Sequence, residues 1–439
     1  MMRRMRALLM AMAMAMAAIA PAAVSAAPDD SLPAVQVRIA LDRVLAEHAF
    51  LIIEAMLTAP DGGTEHEVAA AVLGDNTEEL VDLVSTAYGA DAAIAFDEQW
   101  RNHIAFLLDY SRAVADGDTD ARDLAATQLE RYVEDFSALL ASANPDLPPD
   151  VVEGLIAEHV QQLQQIGSLG QDDFADAYPG MRETYAHMFE VGDGLTLGIV
   201  GRFADTFTGR EVAFSPAIDL RITLDRLLGE HVYLAAIAMR ARLGGSGNLP
   251  AAADALAANS SELADQIGAI YGDEAEPAFA RLWNDHTGLY LDYVAGVAEG
   301  DTAAQDASLA GLRQYRSDFS AFLAGANPLL EPADLEDLLR VHTEHLIEQV
   351  TAYDEGDFAG AYAILREAYA HSGELSAGLA GAIADQFPQL FPDTALVDSQ
   401  PVPWLTLVGW TLVGMALAMA TMPLRWSRWS SSSRPTSTR

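Results

Sequence analysis

The chain has 439 residues, of which 51% are apolar, and this is enough for two ordinary domains with hydrophobic cores. It contains no cysteine, which excludes disulfides, thiolate metal ligands and thiol nucleophiles. The net charge of −39, with arginine as the only strongly basic residue type, argues against nucleic acid or an anionic lipid surface as a partner and would attract cations, although a plain solvated acidic surface has the same composition.

The N-terminal segment 1–26 has the three parts of a secretory signal peptide. Three arginines open it, an apolar run follows from Ala7 to Ala20, and Val24-Ser25-Ala26 offers the small residues of a cleavage site. We therefore expect the body of the protein to be exported and to lie outside the cytoplasm.

The body of the chain contains an internal repeat. Leu41–His48 recurs in closely related form as Leu224–His231, 183 positions further on. The same register relates many later segments, and a one-residue insertion changes the shift to 184 near the end of the second copy. The pattern predicts two tandem homologous modules, 34–208 and 217–391.

Each module is predicted to be an all-α bundle of six helices. Apolar residues recur at steps of three and four, and turns rich in glycine, proline and asparagine interrupt this pattern. Asp118 is a suitable N-cap for the fourth helix, and Pro149 suits the first turn of the fifth. The predicted helices of the first module are 35–58, 64–87, 90–115, 119–142, 148–166 and 172–206.

The C-terminal region predicts a membrane anchor. Residues 392–403 contain several prolines and suit a stalk, and residues 404–423 carry no charge over a length that spans a bilayer. Four arginines in the segment 424–439 favour a cytoplasmic tail. We expect a single-pass cell-membrane protein with an extracytoplasmic body, whereas a buried core helix at 404–423 would need polar positions that this segment lacks.

Histidines are the main candidate functional residues. Eight of the ten form four pairs related by the repeat, and they fall on the first, third, fifth and sixth predicted helices of each module. Apolar neighbours at helical spacing place three of the four on inward faces, and we expect all four to converge in each module. The pairs are His48 with His231, His103 with His286, His159 with His342, and His187 with His371.

Other polar residues also recur in both copies. Asparagine and aspartate are unfavourable inside helices, so their retention suggests a task. The simplest task is to hold each imidazole in one tautomer and orientation by a hydrogen bond. These residues are Glu47, Asn76, Asp109, Tyr132, Asp135 and Glu183 in the first module, and Glu230, Asn259, Asp292, Tyr315, Asp318 and Glu367 in the second.

A cluster of neutral imidazoles in a helical bundle is typical of a transition-metal site. We predict that each module binds copper, zinc or iron, or a ligand that contains such a metal. Haem is a weaker candidate because the chain has no haem-attachment motif. Phosphate-binding loops and the common hydrolase and metalloprotease motifs are also missing from the sequence, which favours binding over catalysis.

The alternative is a structural or interaction domain at the cell surface. In that case the histidines would form only a buried hydrogen-bond network, which a repeat retains because breaking such a network is costly. Metal content separates the two hypotheses, and an enzyme would require a substrate-sized pocket that opens onto the histidines.

Overall fold

The structure, a computed structural model, describes residues 30–60, 62–169, 174–245 and 247–392. The predicted signal peptide, transmembrane segment and cytoplasmic tail lie outside the described residues, as does all of the predicted stalk except Pro392. Among the helices in the described ranges, none has the length and apolar character needed to cross a membrane.

The described residues form thirteen helices and no strand, which confirms the predicted all-α fold class. The helices are α1 (Pro33–Thr58), α2 (Thr64–Tyr88), α3 (Ala90–Asp116), α4 (Thr119–Ala143), α5 (Pro149–Ser168), α6 (Phe174–Arg202), α7 (Arg210–Ala213), α8 (Pro216–Leu243), α9 (Leu249–Tyr271), α10 (Ala275–Glu299), α11 (Thr302–Ala326), α12 (Pro332–Asp354) and α13 (Phe358–Gln386). We call α1–α6 the first half and α8–α13 the second half; the short helix α7, which the periodicity did not predict, lies between them.

Local sequence signals account for the ends of the helices. The side chain of Asp118 accepts a hydrogen bond from the Ala121 backbone N–H at the start of α4, and Pro149 occupies the first turn of α5. Gly117 ends α3 in the left-handed conformation, with φ of 68°, which an L side chain rarely adopts. The six helices predicted for the first module therefore begin and end within four residues of the observed bounds.

Helices α1 and α8 form the centre of the fold. Helix α1 contacts α2, α3, α5 and α6 of its own half and α8 of the other, and α8 has the corresponding contacts with α9, α10, α12 and α13. Both central helices are therefore buried on most of their circumference. A polar side chain that is buried in the middle of these helices is costly unless it finds a partner away from solvent.

The two halves pack together as one compact unit over the described residues. Helix α6 packs on α9, and α13 packs on α2, so that each half presents its last helix to the second helix of the other. An arginine of each last helix reaches across: Arg366 binds Glu47 and Glu79, and Arg182 binds the corresponding pair in the second half. This reciprocal contact joins the halves around the central helices.

Candidate metal centres

Two clusters of three histidines lie in the part of the chain that the structure describes, one in each half. In each cluster, one ring nitrogen of every histidine lies within 4.8 Å of a ring nitrogen of the other two. Triad 1 consists of His48 on α1, His103 on α3 and His159 on α5, and triad 2 consists of His231 on α8, His286 on α10 and His342 on α12.

The central helix of each half positions one histidine of each triad. In α1, Leu41, Leu45 and Ile52 lie seven and three residues before and four residues after His48, so all four share one face. This face is directed at α3 and α5, and the burial of α1 by its neighbours leaves His48 with no exposed surface. The periodicity that buries the leucines therefore also directs the imidazole into the bundle.

The short distances within triad 1 suit a shared ligand. Nε2 of His48 lies 3.3 Å from Nε2 of His103. Both ring nitrogens of His159 and Nδ1 of His48 are buried without a hydrogen-bond partner in the structure. A buried polar atom without a partner is costly, so triad 1 has nitrogen atoms available to a ligand that the protein itself does not satisfy.

Triad 2 reproduces this arrangement closely. Nε2 of His231 lies 3.4 Å from Nε2 of His286. The three ring-centroid distances in triad 2 are 5.3, 5.9 and 6.3 Å, and the corresponding distances in triad 1 are the same. Two sites with divergent surrounding sequences therefore hold their imidazoles at the same spacing.

Burial keeps the triad histidines neutral. Desolvation lowers the pKa of His103, His286 and His342 to about 3. Desolvation also lowers the pKa of His48 and His159, and the neighbouring imidazoles lower it further. A neutral imidazole keeps a lone pair for a metal at neutral pH, which a protonated ring cannot offer.

Aromatic side chains enclose both triads. The Tyr132 ring stacks on His103 with a centroid distance of 4.9 Å, and Tyr315 stacks on His286 at 4.7 Å. The two tyrosines were predicted to hydrogen-bond the imidazoles, but they contact them through their ring faces. This contact still restricts the rotation of each imidazole.

Trp100 and Trp283 are not among the site residues predicted from the sequence. In the structure, Trp100 contacts both His48 and His103, with centroid distances of 4.7 and 4.6 Å, and Trp283 has the same relation to triad 2. The signal that could have identified them is the Trp-x-x-His spacing, which recurs in both halves and places the two rings on one helical face.

The fourth histidine of each half is placed outside the triads. Nε2 of His187 lies 3.0 Å from the carbonyl oxygen of Leu155, and Nε2 of His371 has the same relation to Leu338 at 2.9 Å. Desolvation opposes a charge on His187, but hydrogen bonds to Glu190 and Leu155 outweigh it and raise its pKa. The prediction that four histidines converge in each half is therefore wrong; three do.

Four of the residues predicted to orient the imidazoles belong instead to the contact between the halves: Glu47 and Glu230 make it, and Asn76 and Asn259 hydrogen-bond these glutamates. Asn76 donates to Glu47, and Asn259 donates to Glu230, over 3.0 and 2.7 Å. Each glutamate then pairs with an arginine from the opposite half. The prediction failed because a sequence repeat shows that a polar residue recurs, but not which half supplies its partner.

Six further acidic residues predicted for the same role are exposed on the outer faces of their helices, and the structure contradicts that role. They are Asp109, Asp135, Glu183, Asp292, Asp318 and Glu367. Carboxylates on a solvated helix face need no buried partner, and their recurrence in both halves reflects the acidic surface of the whole chain.

No family model matches the chain, and comparisons with curated proteins and with solved structures found no significant match. The function is therefore inferred from the geometry of the two triads.

Proposed function

We propose that the protein binds one transition-metal ion at each histidine triad. The observation that carries this proposal is the 3.3 Å separation of the Nε2 atoms of His48 and His103, repeated as 3.4 Å in triad 2. Two imidazole nitrogens bound to one tetrahedral metal at about 2.0–2.1 Å are about 3.4 Å apart. A metal would also bind one ring nitrogen of His159, neither of which has a partner in the protein.

The donor set favours zinc or copper over iron. Each triad offers three nitrogens, and the carboxylates predicted to lie beside the imidazoles are directed elsewhere. Non-haem iron sites commonly include a carboxylate, whereas three imidazoles with an open fourth position suit zinc and copper. A bis-histidine haem needs a flat slot between two imidazoles, and the nitrogens of His48 and His103 are too close to admit a porphyrin.

The proposal extends to the organisation of the chain. The two halves are duplicated modules, each with one metal site, and the predicted signal peptide and C-terminal anchor place them on the outer side of the cell membrane. The high negative charge raises the local concentration of cations near the protein. Metal binding, rather than turnover, is the function that this arrangement supports.

Metal stoichiometry of the purified full chain tests the proposal. After loading with zinc or copper and removal of free metal, we expect two ions per chain. His103→Gln and His286→Gln should each remove one ion, and the double variant should remove both. His66→Gln is the control, since both nitrogens of His66 lie near other partners, Thr58 and Arg112.

A second control tests whether three or four histidines bind each metal ion. His187→Gln removes a buried histidine of the same bundle that lies outside triad 1, and it should leave two ions bound. Retention of fewer than one ion per chain by the wild type, or of two ions by the His103→Gln/His286→Gln double variant, would overturn the proposal.

The second candidate function is a structural or interaction domain whose histidines only hydrogen-bond one another. The contact between Nε2 of His48 and Nε2 of His103 favours it, because a neutral imidazole can donate to a second one. However, 3.3 Å is longer than the usual range of about 2.7–3.2 Å, and such a bond leaves both nitrogens of His159 without a partner. A protein that binds no metal and whose stability is insensitive to metal would support this candidate.

A further inference from the structure

An apolar cavity of about 70 Å³ lies against each triad. Cavity 2, in the second half, is bordered by all three histidines of triad 2, and cavity 1, in the first half, is bordered by His159 of triad 1. Both cavities lie inside their own bundle rather than between the halves. Each half therefore combines a group of imidazoles with adjoining empty space.

The walls of the two cavities correspond to each other. An aromatic wall forms one side of each, with stacked phenylalanine and tryptophan rings 5.2 Å apart in cavity 1 and 5.4 Å apart in cavity 2. The aromatic wall is Phe96, Trp100 and Tyr132 in cavity 1, and Phe279, Trp283 and Tyr315 in cavity 2. A chance packing defect would not be expected at corresponding positions in both halves with the same lining. Each cavity is therefore a regular feature of the helical bundle.

The lining predicts a dry interior. Leucine, isoleucine, alanine and aromatic side chains form most of it, and a buried water needs two to four polar partners. The lining has few polar groups: the imidazoles, the Ser372 hydroxyl in cavity 2 and the polar atoms of the tyrosine and tryptophan rings. Apolar cavities of about 150 Å³ remain dry and bind benzene or xenon. At about half that volume, these cavities suit an apolar molecule smaller than benzene.

The cavity extends from the triad to the end of the bundle. Cavity 2 is bordered along α10 from His286 to Ala275, the first residue of the helix, a distance of about 16 Å at the usual helical rise. Its far end is lined by Tyr271 and Ala326, the last residues of α9 and α11. Ala143, the last residue of α4, has the corresponding position in cavity 1. The mainly apolar lining therefore continues from the histidines to the helix ends, and this is the route that we infer for a small molecule.

We propose that each cavity binds a small uncharged apolar molecule of the diatomic-gas class, such as dioxygen, and holds it beside the triad. The role of this molecule rests on the proposed function, because three imidazoles leave one coordination position of a metal open. The binding itself depends only on the volume and the apolar lining. Hydrated ions and polar metabolites are disfavoured because most of the wall offers them no hydrogen bonds.

Paramagnetic relaxation by dissolved dioxygen tests the binding directly in the full chain, with specifically labelled methyl groups. Leu224 borders cavity 2, and Leu107 is equally buried in the core but borders neither cavity. Under dioxygen pressure, the methyl relaxation of Leu224 should be enhanced at least threefold more than that of Leu107. Equal enhancement at the two methyl groups would overturn the inference.

Plugging the far end of the cavities provides a second test. Ala326→Leu should remove the excess relaxation at Leu224, and Ala143→Leu should do the same at Leu45 in cavity 1. Ala324→Leu and Ala141→Leu are matched controls on the same helices, because these alanines border neither cavity. Loss of the excess in the controls, or its retention in the plugged variants, would contradict the proposed route.

The two proposals fail separately. Because the relaxation experiment is performed on both the metal-free and the zinc-loaded protein, excess relaxation without metal retention would support the cavities and overturn the metal sites. Two bound metals without excess relaxation in either form would leave the metal sites and overturn gas binding.

Discussion

Nε2 of His48 and Nε2 of His103 are 3.3 Å apart, although the two residues are 55 positions apart and lie on different helices. His231 and His286 have the same separation in sequence and nearly the same distance. The neighbouring residues of the two halves have diverged, but this distance has not. The spacing of the imidazoles is therefore the feature that supports a function in metal binding.

Metal binding should stabilise the folded protein. A ligand that binds only the native state at a free concentration of 100 times its dissociation constant adds about 2.7 kcal/mol per site. We expect zinc or copper(II) to raise the free energy of unfolding of the wild type, measured by urea denaturation, by this order of magnitude. The His103→Gln/His286→Gln double variant should show no such shift, and an equal shift in both proteins would place the metal elsewhere.

The metal-free protein should lose stability as the pH falls below about 6.5. The folded-state pKa of His103, His286 and His342 is about 3, below the value of about 6.5 for an unfolded chain. The unfolded state therefore binds more protons between these two values, and each histidine removes up to about 1.4 kcal/mol per pH unit as the pH falls through this window.

Urea unfolding at several pH values between 7.5 and 4.5 measures this effect. Burial raises the pKa of Asp42 and of Glu54, and these groups act in the opposite direction. The contribution of His103 is obtained by comparing the slope of the unfolding free energy against pH in the wild type and in His103→Gln. The slope should be smaller in the variant. An unchanged slope in this variant would contradict the assignment of a low pKa to His103.

Arg182 and Arg366, which pair with glutamates of the opposite half, should contribute unequally to the stability of the protein. Arg182→Ala leaves the buried Glu230 with Asn259 as its remaining side-chain donor, whereas Arg366→Ala leaves Glu47 with two, Asn76 and Tyr233. Breaking a buried ion pair costs about 3–5 kcal/mol. We expect Arg182→Ala to lie near the upper end of this range and Arg366→Ala near the lower end.

Chemical denaturation of both variants checks this order. Arg340→Ala is the control, since this exposed arginine pairs only with surface carboxylates and its removal should cost much less stability than either of the other two substitutions. A larger loss for Arg366→Ala than for Arg182→Ala would show that the Tyr233 hydroxyl does not compensate for the missing arginine.

Close packing of α6 on α1 should make Gly192 intolerant of a side chain. A Cβ atom at this position would overlap Oδ1 of Asp42 and lie 3.1 Å from its Cα, so Gly192→Ala requires one helix to move and should destabilise the protein. Gly74→Ala meets no atom within 4 Å and should stabilise α2 by about 0.5–1 kcal/mol through the usual preference of helices for alanine. Thermal unfolding should therefore show changes of opposite sign.

Much of the fold could be predicted without the structure because its causes are local. Helical periodicity, the cap at Asp118 and the proline at the start of α5 depend on residues that are near one another in the chain. The same periodicity placed His48, His103 and His159 on inward faces. A histidine on a leucine-rich face is carried into the core by the residues around it, whatever its task.

The partner of each polar residue could not be predicted because it depends on how the helices and halves meet. Glu47 precedes His48 in sequence, yet its side chain pairs with Arg366 from the opposite half. His187 lies on a helix of the same bundle, but its Nε2 atom contacts the Leu155 carbonyl oxygen of α5, and the imidazole lies outside triad 1.

The sequence by itself determined that this protein is a helical bundle with recurring inward histidines, because helix formation and burial follow from spacing along the chain. Only the tertiary structure decided that three imidazoles meet, that an apolar cavity adjoins them and that arginines join the halves. These features depend on distances between helices, which the order of residues along any one helix does not specify.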